Sequence, residues 1–151
     1  MYRTHPQTDK IRELIKEEFK DNPITIEASF GFSAQVPEEH RLVNPELGGG
    51  SIMDIGCYPM SMSRMIIGEQ NGKPFSNPVA IEAKGELSSR GVDLNATAKL
   101  SFDNGSKAFI SSAINKPLKI LFLLLMKKNL YTLQNLGNVV NKTIANLRLF
   151  T

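Results

Sequence analysis

The 151-residue sequence contains a single cysteine, Cys57, and only two histidines. One cysteine excludes an intramolecular disulfide and is typical of a reducing compartment, so the chain is predicted to be cytoplasmic. One thiol and two imidazoles, which show no metal-ligand spacing, argue against a zinc site. The longest uninterrupted apolar run, residues 120–126, is far shorter than the ~20 residues of a transmembrane helix. The sequence therefore predicts neither a metal centre nor a membrane partner.

Acidic residues are absent from the C-terminal part of the chain. All 15 Asp and Glu residues occur by Asp103, whereas residues 104–151 carry only basic charge. A basic segment of this kind can bind nucleic acid or an anionic membrane. Here the lysines are scattered and no nucleic-acid-binding motif surrounds them, so no nucleic-acid partner is predicted.

Hydrophobic periodicity predicts the element order α-β-α-β-β-β over the first 115 residues. Alternation within the third predicted β-segment and an Asn104-Gly105 turn after it indicate a hairpin. The inward positions of the second predicted strand are Val79, Ile81, Ala83 and Leu87. The predicted elements are a helix over 9–20 with Thr8 as N-cap, a strand over 24–35, a helix ending at Gly68, and strands over 79–87, 93–102 and 107–114. This order predicts an α+β fold, with a mostly antiparallel open sheet and helices packed on one face.

The glycine-rich stretch 48–50 and the helix after it hold the chemically suggestive residues. Asp54 and Tyr58 are four positions apart, which places them on one helix face, and a carboxylate beside a phenol can act on a hydroxyl group. The same spacing usually marks an ordinary surface pair. Pro59 removes a backbone donor and predicts a kink just after Tyr58. The preceding polar loop is expected to bring Arg41 close to the glycines. No phosphate-loop or dinucleotide fingerprint is present.

Two motifs carry a family resemblance. The segment Arg41-Leu-x-x-x-Glu46-Leu-Gly-Gly-Gly-Ser-Ile-Met-Asp54-Ile-Gly-x-Tyr58 follows an opening Tyr2-Arg3-x-His5-Pro6-Gln7 at about the expected distance. Both resemble the second domain of the Gfo/Idh/MocA oxidoreductases. The resemblance covers residues 1–115 and is closest to the glucose-fructose oxidoreductase and dimeric dihydrodiol dehydrogenase branch, which has Tyr where other members have His.

The resemblance implies a substrate-side and oligomerisation domain of an NAD(P)-dependent oxidoreductase that moves hydride to or from a sugar, polyol or related diol. Tyr58 would then donate or accept the proton at the substrate oxygen, and Asp54 would accept a substrate hydroxyl. Contacts with substrate or cofactor would come from Arg3, His5, Arg41, Gly49 and Gly50. A turn histidine ahead of proline is an equally good interpretation of His5, and arginines are usually surface charges.

The family's nucleotide-binding domain, with its glycine fingerprint and its Glu-Lys-Pro lysine, would lie before residue 1. The cofactor, NAD or NADP, is therefore expected to be bound mainly by that missing domain, and the isolated chain is expected to be inactive. A second interpretation stays open, in which the chain is a non-catalytic interaction module or an inactive gene remnant. Because the open sheet of this family commonly forms a dimer face, a homo-oligomer is expected.

Residues 116–151 depart from the family pattern and are predicted to form a separate basic tail. Helical spacing predicts one or two amphipathic helices and is shown by Leu130, Leu133, Leu136, Val140, Ile144 and Leu147. The loss of acids and the excess of Asn, Lys and Leu are equally typical of a reading-frame change in an A/T-rich gene.

Overall fold

The computed structural model describes residues 2–20, 22–125 and 130–133. Short 3-10 turns occupy Tyr2–Thr4 and Pro45–Leu47. The main elements are α1 (Pro6–Glu18), β1 (Thr25–Ser33), a π-helical turn (Ile52–Gly56), α2 (Cys57–Gln70), β2 (Ala80–Leu87), β3 (Asp93–Ser101), β4 (Lys107–Ala113), β5 (Asn115–Leu125) and β6 (Leu130–Leu133). The predicted α-β-α-β-β-β order is confirmed as far as β4.

The strands form one sheet in the order β2-β3-β4-β1-β5-β6. Only β1 and β4 run parallel, with Thr25 opposite Lys107, while the other neighbouring pairs are antiparallel. The turn between β3 and β4 contains Gly105 at φ 81, a left-handed conformation that glycine adopts without a steric penalty. This confirms the predicted hairpin and the mostly antiparallel open sheet.

Both helices pack on the same face of the sheet. Residues that alternate along β1, β3 and β4 point to this face because successive strand side chains point to opposite sides. The buried cluster that results includes Ile11 and Ile15 of α1, Phe19 just after it, Met62, Met65 and Ile66 of α2, and Ile26, Ala28, Leu100, Ala108 and Ile110 of the sheet. On the opposite face Phe109 is 44% exposed. The α+β fold with helices on one face is confirmed.

Strand β2 corrects one prediction, because none of its residues is buried. Val79, Ile81 and Leu87, predicted to point inward, are 68%, 56% and 65% exposed, and Ala83 is exposed as well. Ile81 pairs with Leu100 and so lies on the helix-bearing side of the sheet. However, β2 is the edge strand, and α2 packs over the more central β1 and β4.

The helix ends also differ from prediction. Helix α1 begins at Pro6, so Thr8 lies inside it, and its N–H donates to the His5 carbonyl at 2.8 Å. Proline suits the first helical position because no N–H is needed there. Helix α2 continues past Gly68 to Gln70. Glycine is required at position 68 by close packing, since a Cβ there would stand 2.2 Å from the Phe75 Cα.

The chain after residue 115 is not helical where the structure describes it. Residues 115–125 form β5, which pairs antiparallel with the free side of β1, and residues 130–133 form β6. Short apolar runs do not distinguish strand from helix by periodicity, which explains the wrong helix prediction here. The sheet therefore continues past the predicted boundary. The rest of the tail in which one or two helices are predicted, residues 126–129 and 134–151, lies outside the described residues. The boundary and the reading-frame change stay predictions.

Candidate functional site

The three glycines form a tight turn that leads into the π-helical turn. The Gly48 N–H donates to the Pro45 carbonyl at 3.1 Å. The Gly49 N–H donates to the Asn44 carbonyl and the Gly50 N–H to the Leu42 carbonyl, each at 2.9 Å. Because all three donors are used inside the turn, this turn does not offer the free N–H groups that cradle a phosphate in a phosphate-binding loop.

Only glycine fits at positions 49 and 50. A Cβ on Gly49 would lie 2.8 Å from the Asn44 carbonyl oxygen, and one on Gly50 would lie 2.2 Å from Asp93 Oδ1. Gly50 also has φ 119, a conformation that side chains of L-residues rarely adopt. The turn is thus packed tightly against both the preceding loop and the start of β3.

Asp54 is held by Arg41, as the expected position of the loop implied. Arg41 Nη1 donates to Asp54 Oδ1 at 2.7 Å, and the side chains are 64% and 18% exposed. Charge-assisted hydrogen bonds of this kind fix a carboxylate more firmly than neutral ones. The pair sits in an open groove of about 260 Å³, lined by Arg41, Leu42, Leu47, Gly48, Gly49, Gly50, Met53 and Asp54.

Tyr58 lies in the first turn of α2, and its side chain is 43% exposed. Its ring packs beside Phe30 of β1, with ring centroids 6.1 Å apart and planes tilted by 40°. The helical irregularity lies before Tyr58 rather than after it, because the N–H of Cys57 donates to the Ile52 carbonyl five residues back. Such π-turns inside helices occur frequently at functional sites.

Arg3 and His5 lie near the chain start. Arg3 Nε donates to Ser61 Oγ at 3.0 Å, and Arg3 Nη2 donates to the Ser61 carbonyl at 3.4 Å. Arg3 therefore ties the opening turn to α2 at the position three residues after Tyr58. His5 is exposed at the N-terminus of α1. The structure thus brings Arg41, Asp54, Gly49 and Gly50 into one groove and places Arg3 farther along α2.

Sequence reasoning missed a polar cluster beneath this helix start. Ser51 is fully buried, and its Oγ lies 2.6 Å from Asp93 Oδ2 and 2.9 Å from Ser112 Oγ. The Ile52 N–H donates to the same Asp93 oxygen at 2.8 Å. Asp93 is 42 positions from Ser51 along the chain, and no local sequence signal links the two residues.

Two further findings concern the part of the chain that the structure describes. No group of three or more His, Cys, Asp or Glu residues there is arranged to hold a metal ion. Among the helices of residues 2–20 and 22–125, none has the length and apolarity to cross a membrane.

Comparison with known proteins gives the class. Residues 8–120 match the family model described as the GFO/IDH/MocA C-terminal domain. The chain therefore belongs to the Gfo/Idh/MocA family, as the motifs around Arg3 and Asp54 predicted.

Two curated relatives illustrate the similarity. A D-xylose 1-dehydrogenase (NADP(+)) from Haloferax volcanii is 30% identical over 117 residues, which is 78% of this chain and 34% of the relative. A trans-1,2-dihydrobenzene-1,2-diol dehydrogenase from Xenopus tropicalis is 33% identical over 112 residues, or 74% of this chain and 32% of the relative. The chain thus spans about a third of the length of these relatives.

Solved structures show the same fold. An aldose-aldose oxidoreductase from Caulobacter crescentus superimposes with a TM-score of 0.69 at 22% identity, covering 87% of this chain and 38% of the other. A 3-ketoreductase from Actinomadura kijaniata gives 0.67 at 18% identity, with 87% and 39% covered.

Proposed function

We propose that this chain supplies the substrate-side half of the active site of an NAD(P)-dependent oxidoreductase that acts on a sugar, polyol or related diol. The observation that carries the proposal is the Arg41–Asp54 pair at 2.7 Å in an open groove, one helical turn before an exposed Tyr58. The names of the two curated relatives, which specify a sugar and a diol, support this substrate class.

The volume of the groove is consistent with one half of a substrate-binding site. Its volume of about 260 Å³ lies below the ~300–1,000 Å³ of typical ligand pockets. A small polyol could be partly enclosed there, and the remaining wall would come from another domain. The dinucleotide-binding domain of the intact enzyme is the proposed source of that wall.

Asp54 and Arg41 would bind and orient the substrate. One Asp54 oxygen already accepts from Arg41, and a carboxylate has further lone pairs that can accept a substrate hydroxyl. The remaining N–H groups of the exposed Arg41 guanidinium are suited to a second substrate oxygen. Together the two side chains recognise adjacent hydroxyl groups without leaving a net charge in the groove.

Tyr58 would move the proton. Packing against Phe30 limits the positions of the ring, while its exposure leaves the side chain accessible to a substrate. A positioned phenol can donate to or accept from a carbonyl or hydroxyl oxygen as general acid or base. The nicotinamide supplies the hydride chemistry when bound. Arg3, His5, Gly49 and Gly50 are proposed to contact substrate or cofactor, and the engaged glycine N–H groups imply that the cofactor phosphates are held elsewhere.

The test uses a fusion of the dinucleotide-binding domain of the Haloferax relative to this chain. Tyr58→Phe should lower kcat by about 10²- to 10⁴-fold while leaving KM nearly unchanged, because the ring and its packing remain. Asp54→Asn should impair both kcat and KM, since it removes a charged acceptor from the substrate.

The matched control is Asp103→Asn in the exposed β3–β4 turn, which should change neither constant. Near-normal turnover of Tyr58→Phe with an unchanged pH profile would show that Tyr58 is not the acid/base. An inactive fusion with a bound cofactor would count against the enzymatic proposal itself.

A second candidate function is oligomerisation without catalysis. On the sheet face opposite α1 and α2, Phe109 is exposed beside a depression of about 420 Å³, which is also lined by Glu82, Lys84, Thr97, Lys99 and Ser111. In sedimentation velocity the chain should self-associate with increasing concentration, and Phe109→Lys should abolish this. Leu47→Lys is the control, because Leu47 is an apolar side chain away from the sheet face and is even more exposed, at 62% against 44% for Phe109. A monomer at every concentration would contradict this function.

A further inference from the structure

We infer that Asp93 is a positioning residue: from the start of β3 it caps the helix start that carries Asp54 and Tyr58, and so sets the geometry of the site. The inference rests on the proposed function for its consequence in catalysis. Its structural part rests on contacts among residues 50–56, Asp93 and Ser112.

Asp93 provides the N-terminal cap that the N-cap residue of a helix usually provides with its own side chain. Ser51 occupies the N-cap position but makes no capping bond to its own helix. Instead, Asp93 Oδ2 accepts the Ile52 N–H at 2.8 Å and the Ser51 hydroxyl at 2.6 Å. The first turn of a helix has N–H groups without helical partners and a partial positive charge, and both favour a carboxylate there.

The carboxylate is held in a slot that only glycine allows. Its other oxygen, Oδ1, would be 2.2 Å from a Cβ on Gly50. The Gly50 carbonyl in turn accepts the Asp54 N–H at 3.2 Å. Gly50 and Ile52, which contact Asp93, lie only four and two positions before Asp54. A displacement of Asp93 is therefore transmitted through them to Asp54.

The contacts also indicate that this effect is local. Farther along α2, Met62, Met65 and Ile66 are buried in the main core, which holds the helix independently of Asp93. At the helix start the second anchor is Ser112 of β4, whose Oγ would lie 3.0 Å from a Cβ on Gly56. Loss of Asp93 should therefore loosen residues 50–56 and leave the rest of α2 in place.

The first experiment measures amide hydrogen exchange by NMR on this chain. Asp93→Ala should speed exchange at the amides of Ile52 and Asp54 by about 2- to 30-fold, the range that follows from losing an N-cap bond. The amides of Met65 and Ile66 should be unaffected. Asp93→Asn, which keeps a side-chain oxygen acceptor, should restore part of the protection. The matched control is Asp103→Ala, at the exposed turn that follows β3.

Unchanged exchange at Ile52 and Asp54 would overturn the inference, and so would a uniform rise along α2, which indicates general destabilisation. If Asp93→Ala does not fold, Ser51→Ala replaces it. That variant keeps the bond from the Ile52 N–H to Asp93 and removes the Ser51 hydroxyl, which contacts Asp93 at 2.6 Å and Ser112 at 2.9 Å. It should give a smaller increase at the same two amides. No increase there would equally overturn the inference.

The second experiment measures turnover in the fusion enzyme. Asp93→Ala should lower kcat about 10-fold with KM little changed, and Asp93→Asn should recover part of the loss. Full turnover in Asp93→Ala would overturn the positioning role even if exchange is faster. If the unmodified fusion is inactive, the proposed function fails, whereas the exchange result still decides whether Asp93 holds the helix start.

Discussion

Gln70, at the end of α2, should contribute more to stability than any other polar side chain of that helix. It is 6% exposed, and its amide joins α2 to three other segments of the chain. Nε2 donates to the carbonyls of Phe19 and Asn22, with 2.6 Å to the former, while Oε1 accepts from Asn104 Nδ2 at 2.8 Å and Ser106 Oγ at 3.1 Å. One amide therefore links the end of α1, the turn before β1, and the β3–β4 hairpin.

Gln70→Leu keeps the side-chain volume and removes these four bonds. Each of the four hydrogen bonds contributes about 0.5–1.5 kcal/mol to stability, and the bonds to Phe19 and Ser106 are buried. The free energy of unfolding should therefore fall by about 2–6 kcal/mol. At a urea dependence of ~2 kcal/mol per M, the unfolding midpoint would fall by about 1–3 M.

Urea unfolding followed by circular dichroism measures this loss. Gln35→Leu, the same change at an exposed glutamine, is the control and should alter stability by no more than about 0.5 kcal/mol. A loss below about 1 kcal/mol in Gln70→Leu would refute the argument, because it would mean that water or other side chains readily replace the amide.

Two other changes test the packing and the charges. Gly68→Ala should lower stability by about 1–3 kcal/mol in thermal unfolding, because the added Cβ meets the Phe75 backbone. This loss should exceed the ~1 kcal/mol by which alanine favours a helix over glycine. A higher Tm would show that the segment around Phe75 moves aside easily. The hydrogen bond and charge of Lys99 hold the pKa of Glu82 below its ordinary value of 4.5, and Lys99→Gln should raise it in an NMR titration. Because the pKa of Glu82 is lowered on folding, the Glu82–Lys99 pair contributes fully to folding stability above the unfolded pKa of Glu82, and this contribution is lost as the pH falls through the folded pKa. An unchanged Glu82 pKa in Lys99→Gln would contradict the assigned cause.

The period of a strand predicts which side chains share a face, but it does not predict whether anything covers that face. The alternating residues Leu100 and Ile110 are buried because they belong to central strands under the helices. The same alternation around Ile81 is exposed because β2 is at the edge. Strand order depends on pairings between distant segments, which a local pattern cannot supply.

The candidate site shows the same division. Motif residues such as Arg41 and Asp54 could be found because they lie close together in sequence around the glycines. Asp93 could not be found, because a carboxylate at the start of a strand gives no local indication that it caps a helix 42 positions earlier. The prediction that Gly68 ends a helix is wrong, because the close approach to Phe75 that requires glycine there depends on a loop whose path the sequence does not reveal.

The parallel pairing of β1 with β4 has a consequence for synthesis. Thr25 pairs with Lys107 on one side and Leu125 on the other, so neither neighbour of β1 exists until some 80 further residues have been made. At ribosomal rates of ~5–20 residues per second, strand β1 waits ~4–16 s for its neighbours in the sheet. Such long-range closure also slows folding itself. A nascent chain of this design should therefore be a good client for chaperones that bind short apolar segments, and β1 is the segment that they would be expected to hold.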